Sequence, residues 1–248
     1  MPQQNINIAL LVDADNSPAK SIQFILSELA RNGRVTIRKA YGNWTSSNLK
    51  GWESKLQEHA IQPIQQYDLT KGKNATDIAM TIDAMDMLYT KEIDVFCLVT
   101  SDCDFTPLAT RILSEGKTVI AFGERKVPSA FVNVCSKFLY LDEKDKNEKK
   151  VKTNELRQDT KLMNIIRDGI SNNENEEGWA SLGRVGHHIS NYDSFDSRNY
   201  GYSTLSDLIE AIGLFELQRD SSKNYIVRNK RKSNNPSPKT IKKQGLCC

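Results

Sequence analysis

Three aspartates follow the ends of two apolar segments in this 248-residue chain. Asp13 comes directly after residues 6–12, and Asp102 and Asp104 come shortly after residues 95–99. Each segment is short, continuous and apolar, which is typical of a buried strand. Because ligands of open parallel sheets bind at the carboxyl ends of the strands, these carboxylates occupy positions at which chemistry would take place.

A fourth aspartate, Asp77, lies in the first turn of a helix predicted over residues 75–89. Helical periodicity predicts one buried apolar stripe on this helix, made of Ile78, Ile82, Met85 and Tyr89. Asp77 flanks that stripe and could turn towards a site, whereas Asp83 and Asp86 lie further round and are expected in solvent. The simpler alternative for Asp77 is an acidic residue favoured by the helix dipole, worth up to about 1 kcal/mol.

Several carboxylates at one site raise one another's pKa unless a divalent cation neutralises them. Mg²⁺ or Mn²⁺ fits such oxygen ligands and is used with phosphate substrates, where it polarises a phosphoryl oxygen and activates the attacking water. Zinc is not expected, since we place no His or Cys near these positions. For a single aspartate ahead of Phe105, a helix cap remains the alternative.

Three motifs resemble the NYN family of PIN-like nucleases, in particular its bacterial LabA-like branch. They are VDADN at residues 12–16, KGKNATDIAM at residues 71–80 and TSDCDF at residues 100–105, in the family's order and at its spacing. The resemblance extends over residues 6–141. It implies a Rossmann-like αβα domain with a mainly parallel sheet, which cleaves RNA with a Mg²⁺ or Mn²⁺ centre.

The resemblance also implies roles for individual residues. It implies four metal ligands that would be catalytic, namely Asp13, Asp77, Asp102 and Asp104. Asn16 and Ser101 would be catalytic as positioning groups, and Lys73 would bind the substrate through a phosphate. Many relatives have a glycine in place of Ser101 or a serine in place of Cys103, but neither departure removes a carboxylate.

Alternating strands and helices position these residues. Strands are predicted over residues 6–12, 34–41, 61–67, 95–99, 117–122 and 138–141. Helices are predicted over residues 17–32, 47–59, 75–89, 107–114 and 129–135. This alternation favours a parallel sheet that is covered by helices on both faces.

The second half of the chain resembles the LOTUS module, also called OST-HTH, over residues 156–228. The matching features are Gly-Trp-Ala at residues 178–180, Val-Gly at residues 185–186 in a helix predicted over residues 179–189, Asp-Ser-Arg-Asn-Tyr-Gly-Tyr at residues 196–202, and residues 205–210 of a helix predicted over residues 203–212, followed by Phe215. The resemblance implies a small winged-helix domain associated with RNA binding. The candidates for substrate binding in this half, each through a phosphate, are Arg184, Arg198 and Lys223.

Charge is unevenly distributed along the chain. Residues 221–248 contain eight of the 34 Lys and Arg residues and none of the 31 Asp and Glu residues, although the net charge is only +3. Such a basic tail commonly associates with polyanions, and a merely solubilising tail is the alternative. Five cysteines without a CxxC spacing favour a reducing, cytoplasmic compartment. No apolar run is long enough to cross a bilayer.

These features predict four regions: an NYN domain at residues 1–142, a charged linker at 143–155, a LOTUS domain at 156–228, and a basic, disordered tail at 229–248. The leading hypothesis is a Mg²⁺- or Mn²⁺-dependent ribonuclease. RNA, single-stranded or structured, is the expected partner; no membrane association is expected, and a homodimer is left open.

Two other classes of function are consistent with parts of the sequence. The first is a non-catalytic RNA-binding regulator with a vestigial acidic site. The second is an aspartate-rich phosphohydrolase, with Asp13 as a covalent nucleophile and Asp15 as the acid–base residue. The phosphohydrolase hypothesis leaves Lys73 and the LOTUS-like half unexplained.

Overall fold

The computed structural model describes residues 6–67, 74–141, 151–192 and 195–230, without the side chains of residues 191 and 192. Lys73 therefore lies outside the described residues. The same is true of most of the predicted linker and of nearly all of the predicted tail. Among the described residues, no helix combines the length and the apolar character needed to cross a membrane.

A six-stranded sheet forms the centre of the first domain. Its strands are β1 (Asn7–Asp13), β2 (Arg34–Gly42), β3 (Gln62–Gln65), β4 (Val95–Val99), β5 (Thr118–Gly123) and β6 (Lys137–Tyr140). Every neighbouring pair is parallel, in the order β3-β2-β1-β4-β5-β6. The predicted α/β class with a parallel sheet is confirmed. Strands β1 and β4 are adjacent at the centre, so the segments after them meet at one edge.

Helices cover both faces of this sheet. They are α1 (Ile22–Leu29), α2 (Glu53–Glu58), α3 (Ala75–Thr90), α4 (Thr106–Ser114) and α5 (Ser129–Val134), together with a 3-10 helix at Ser47–Trp52. Successive residues of β1 face opposite cores, because side chains alternate along a strand. Leu11 packs in the core with Met80 of α3, whereas Leu10 packs in the core with Ile22 of α1.

Helix α3 buries a different side from the one predicted. The side chains of Ile78, Ile82 and Tyr89 are 60%, 57% and 56% exposed, so the predicted buried stripe was wrong. Met80 and Ala84 face the sheet instead and are fully buried. Apolar residues occur around most of the circumference of α3, and periodicity alone therefore could not identify the buried side.

Asp83 of α3 is not simply solvated, contrary to the prediction. Its Oδ2 accepts hydrogen bonds from Lys39 Nζ and Tyr41 Oη, both at 2.7 Å. Partial burial opposes ionisation, but the hydrogen bonds from Lys39 and Tyr41 outweigh it and lower the pKa of Asp83. Because Lys39 and Tyr41 belong to β2, these bonds attach α3 to the sheet and help to position Asp77 at its start.

The second domain combines helices with a small antiparallel sheet. Its helices are α6 (Thr153–Gln158), α7 (Thr160–Ser171), α8 (Leu182–Tyr192) and α9 (Leu205–Ile212). Its strands are β7 (Ala180–Ser181), β8 (Phe215–Arg219) and β9 (Tyr225–Asn229), in the order β7-β9-β8. The hairpin of β8 and β9 forms the expected wing. The helix predicted from residue 179 begins only at Leu182, because Ala180 and Ser181 pair with β9.

Candidate active site

Asp13 is the last residue of β1 and is fully buried at the carboxyl edge of the sheet. Its Oδ2 accepts hydrogen bonds from Thr100 Oγ1 and Asn16 Nδ2, both at 3.0 Å, and its Oδ1 accepts one from the Asn16 backbone N–H at 3.2 Å. Burial raises the pKa of Asp13, and these hydrogen bonds oppose that effect. Asn16 therefore orients Asp13, which is a contact consistent with its predicted positioning role.

The loop after β4 brings two further aspartates to the same edge. The Asp102 backbone N–H donates to Thr100 Oγ1 at 3.1 Å, so Thr100 connects this loop to Asp13. Asp102 Oδ1 in turn accepts from the Asp104 N–H at 2.9 Å, which caps the short 3-10 turn of residues 103–105. The helix-cap alternative thus describes Asp102 correctly. It does not remove Asp102 from the site, because its second oxygen is not used by the cap.

Asp77 faces the other carboxylates from the first turn of α3. Partial burial, followed by the negative charges of Asp13, Asp102, Asp104 and Asp15, raises the pKa of Asp77 to about 6. Asn74, immediately before the helix, donates from Nδ2 to Asp104 Oδ2 at 3.3 Å. The structure therefore brings together carboxylates from three separate parts of the chain, as the sequence predicted for a cation site.

Asp15 also belongs to this group, although the sequence suggested a role for it only in the phosphohydrolase alternative. Its Oδ2 accepts a hydrogen bond from Thr76 Oγ1 at 3.0 Å, and its Oδ1 accepts one from the Asn43 N–H at 3.3 Å. Asp15 thereby connects the loop after β1 with the end of β2 and the start of α3. The alternation of aspartates in the VDADN motif was the only sequence signal for this residue.

Ser101 connects the active-site loop to the neighbouring loop after β5. Its Oγ accepts a hydrogen bond from the Glu124 backbone N–H at 2.8 Å. A side chain at Gly123 would place a Cβ atom 2.5 Å from the Thr100 carbonyl oxygen, so glycine is required for this close approach. The catalytic role of Ser101 stays a prediction, and its observed contact fixes the distance between two loops.

Cys103 lies closer to the aspartates than expected. The ligand atoms of Asp102, Cys103 and Asp104 all lie within 4.8 Å of one another. The prediction that no Cys lies near the site was therefore wrong, because the turn that Asp102 caps brings the intervening thiol to the same side. Oxygen donors still form most of the group, which fits a hard cation, whereas the thiol would suit a softer one.

A cavity of about 360 Å³ opens beside Asp15 and the loop after β1. Its lining includes Asp15, Asn16, Asn48, Trp52 and Lys126. The Trp52 indole N–H donates to the Ser17 carbonyl oxygen at 3.2 Å, which holds the loop after β1 in place. Glu124 also lines the cavity, and its Oε2 lies 2.6 Å from Lys126 Nζ, so the charge of Lys126 is already paired.

The predicted substrate-binding residues of the second domain lie in different surroundings. Arg184 in α8 and Lys223 in the β8–β9 turn are exposed. The Arg198 guanidinium is instead paired with Asp196 and Glu28, and its side chain is 21% exposed. Because its guanidinium is already paired with two carboxylates, Arg198 is poorly placed for the phosphate contact that the sequence suggested.

Two arginine–aromatic pairs at the small sheet of the second domain were not predicted from the sequence. The guanidinium of Arg228 lies 4.3 Å from the centre of the Trp179 ring, and that of Arg219 lies 4.5 Å from the centre of the Tyr225 ring. Such cation–π pairs stabilise the packing of an arginine against an aromatic ring. The pairs join residues from different segments, so spacing along the chain gave no signal for them.

Comparisons with known proteins match both halves of the chain. The family model described as NYN domain matches residues 7–142, and the one described as OST-HTH/LOTUS domain matches residues 157–227. An uncharacterised protein from Methanocaldococcus jannaschii is 29% identical over 164 residues, which cover 62% of this chain and 65% of that protein. The match thus spans slightly less than two thirds of that relative's length.

A solved structure also resembles part of the chain. It is the crystal structure of a protein of unknown function from Vibrio parahaemolyticus, with a TM-score of 0.49 and 19% sequence identity. The alignment covers 58% of this chain and 97% of the Vibrio protein.

Proposed function

The chain belongs to the NYN domain family, and on that basis we propose that it is a metal-dependent ribonuclease that hydrolyses RNA phosphodiester bonds. NYN domains belong to the PIN-like nucleases, and the OST-HTH/LOTUS domain that follows is an RNA-binding module. The observation that carries the proposal is the gathering of carboxylates from β1, α3 and the β4 loop at one edge of the sheet. The nuclease and the RNA-binding module imply the same substrate class.

The proposed metal ligands are Asp13, Asp77, Asp102 and Asp104. Burial and, after it, the charges of the neighbouring carboxylates raise the pKa of Asp77, and a bound divalent cation would relieve the mutual repulsion. When bound, Mg²⁺ or Mn²⁺ would polarise the phosphoryl oxygen and make water a better nucleophile. Either ion meets the requirement for oxygen donors.

The side chains around these ligands would orient them and the substrate. Asn16 and Thr100 hold both oxygens of Asp13 by hydrogen bonds, which keeps its orientation fixed. Asp104 is exposed and would lie on the side from which RNA approaches. Lys73, outside the described residues, is retained as a proposed phosphate contact.

The second domain would recruit RNA. Arg184 and Lys223 are proposed to contact phosphates, because both are exposed cations on a module of the RNA-binding type. The Arg228–Trp179 and Arg219–Tyr225 pairs would offer surfaces on which unpaired bases stack.

The decisive experiment measures cleavage of labelled RNA by the purified full-length protein in Mg²⁺, in Mn²⁺ and in EDTA. Wild-type protein should cleave with either ion and not in EDTA. Asp102→Asn should reduce the rate by about 100-fold or more, because an electrostatic ligand at the reacting centre is lost. Asp86→Asn removes the same charge from an exposed position of α3 and should cleave at the wild-type rate.

Two results would reject the proposal. One is the absence of product with wild-type protein in either ion, and the other is undiminished cleavage by Asp102→Asn. RNA binding that persists in EDTA, with no product in Mg²⁺ or Mn²⁺, would favour the non-catalytic RNA-binding regulator instead.

A further inference from the structure

A short 3-10 turn of the second domain contacts the first domain through charged groups. The Arg198 guanidinium donates to Asp196 from Nε at 2.8 Å and from Nη2 at 2.7 Å, and it also pairs with Glu28 at the end of α1. The Glu28 side chain is only 7% exposed. Residues 196–199, here called the docking turn, therefore place an ion pair in a largely buried position between the two domains.

The docking turn also binds the open edge of the six-stranded sheet. Among the strands that the structure describes, β6 pairs only with β5, and edge strands leave backbone groups available for new partners. Asn199 Nδ2 donates to the Phe138 carbonyl oxygen of β6 at 3.0 Å. Lys137 of the same strand places its Nζ 3.3 Å from Asp196 Oδ2. The contact thus combines an edge carbonyl with a second ion pair.

A further contact extends from the docking turn towards the active site. Arg125 Nη2 donates to the Asn199 carbonyl oxygen at 3.0 Å, and the Arg125 guanidinium lies 4.8 Å from the centre of the Tyr140 ring. Arg125 follows Glu124, whose backbone N–H donates to Ser101 Oγ. The loop of residues 124–127 is therefore held by the docking turn on one side and by the active-site loop on the other.

Physical chemistry favours the docked arrangement. A buried carboxylate that loses its cationic partner is strongly unfavourable, whereas a pair satisfied by several hydrogen bonds is tolerated. Glu28 also pairs with Arg31 at 3.2 Å, but the Arg31 side chain is 70% exposed and contributes little in water. Arg198 is thus the partly buried cation that Glu28 requires.

We infer that the docking turn fastens the second domain to the β6 edge of the first domain and, through Arg125, holds the loop of residues 124–127 beside Ser101. The surface formed by Glu28, Lys137 and the Phe138 carbonyl accordingly binds the docking turn of the same chain. Arg198 serves this contact rather than a phosphate. The inference concerns the arrangement of the domains and stands whether or not the site cleaves RNA.

The test compares full-length wild-type protein with Glu28→Gln, Arg198→Ala and, as a matched control, Arg167→Ala at an exposed position of α7. Small-angle X-ray scattering measures domain separation, and hydrogen exchange measures protection of residues 123–128. Loss of one partner of a buried pair should shift the docking equilibrium by about 100-fold. We expect a larger radius of gyration and about ten-fold faster exchange of the Glu124 amide in both junction variants.

Glu28→Gln is the more informative variant, because it leaves the Asp196–Arg198 pair of the second domain intact. If Arg198→Ala fails to fold, Glu28→Gln alone decides. Scattering and Glu124 exchange identical to wild type in Glu28→Gln would overturn the inference. An equally large change in Arg167→Ala would also overturn it, because the effect would then not depend on the docking turn.

Discussion

The hydroxyl of Thr76 donates a hydrogen bond to Asp15 at 3.0 Å, joining residues that are 61 positions apart. Thr76 is buried at the start of α3, one residue before Asp77. Asp15 is fixed in turn by the Asn43 N–H at the end of β2. The bond therefore sets the position from which Asp77 faces the other carboxylates.

Removal of this bond should weaken metal binding. Thr76→Val keeps the shape of the side chain but deletes the donor, and partners that orient metal ligands typically contribute about 10- to 100-fold in affinity. We expect Mn²⁺ affinity, measured by isothermal titration calorimetry, to fall by about ten-fold or more. Thr81→Val, further along α3, is the control and should bind as wild type does. Equal affinity in Thr76→Val and wild type would show that Asp15 does not position α3.

The pH dependence of the metal-free protein should report Asp77. Its pKa is raised from 3.8 to about 6, so the folded state binds this proton more tightly than the unfolded state. Asp77 therefore favours folding when protonated, and its contribution is lost as pH rises from about 4 to about 6. In EDTA, the melting temperature of wild type should fall relative to that of Asp77→Asn across this window.

The same experiment has an internal control and a metal-dependent counterpart. Asp86→Asn, at an exposed position of the same helix, should follow wild type across the whole pH range. Added Mn²⁺ at pH 7.5 should stabilise wild type more than Asp77→Asn, because the variant lacks one of the four proposed carboxylate ligands. A parallel pH response of wild type and Asp77→Asn would contradict the shared electrostatic site.

The two sides of α3 should differ sharply in their effect on stability. Met80 is fully buried, whereas Ile82 is 57% exposed. Met80→Ala should lower the free energy of unfolding by about 2–5 kcal/mol, since a cavity remains in the core. Ile82→Ala should change it by only about 0.5 kcal/mol. Urea denaturation followed by circular dichroism measures both, and a larger loss for Ile82→Ala would mean that α3 is rotated from its described position.

The central strands could be predicted from sequence because a buried parallel strand leaves a strong local signal. The apolar segments that became β1 and β4 end at Asp13 and ahead of Asp102, so the edge of the sheet and its carboxylates followed directly. The parallel topology then required these ends to meet. The fold class and the position of these carboxylates therefore follow from local sequence patterns together with one rule, that parallel strands end at the same edge of the sheet.

Other features depend on contacts that no local pattern encodes. The buried side of α3 is selected by the sheet, and Asp83 is engaged by two residues of β2. Arg198 looked like a phosphate ligand because an isolated arginine in a polar motif gives no sign of a partner 170 positions away. Cys103 is a different case, because it lies between Asp102 and Asp104 in the sequence and its proximity could have been predicted.

Cys103 provides a test of which cation the site prefers. Cys103→Ser removes the sulfur atom and leaves the carboxylates in place, so cleavage in Mg²⁺ should stay within about two-fold of wild type, because hard cations prefer oxygen. Binding of Zn²⁺, a softer ion, should weaken by about ten-fold. Parallel assays of cleavage and Zn²⁺ binding measure both effects. A large loss of Mg²⁺-dependent cleavage would instead assign the thiol a part in the reaction.

RNA affinity should depend on exposed cations of the second domain and not on Arg198. In an Asp102→Asn background that prevents cleavage, Lys223→Ala or Arg184→Ala should each reduce the slope of log affinity against log salt by about 0.7, the value for one phosphate contact to a single strand. Fluorescence anisotropy at several salt concentrations measures this slope.

Arg198→Ala provides the contrasting case in the same titration. Its charge is already paired with Asp196 and Glu28, so no counterion release from RNA depends on it, and the slope should equal that of the parent protein. RNA affinity at a single salt concentration can still fall if the domains separate, because the RNA-binding surfaces of the two domains are then no longer held in a fixed relative position. The slope therefore distinguishes a docking residue from a phosphate ligand, and a reduction of about 0.7 in Arg198→Ala would restore the phosphate contact that the sequence suggested.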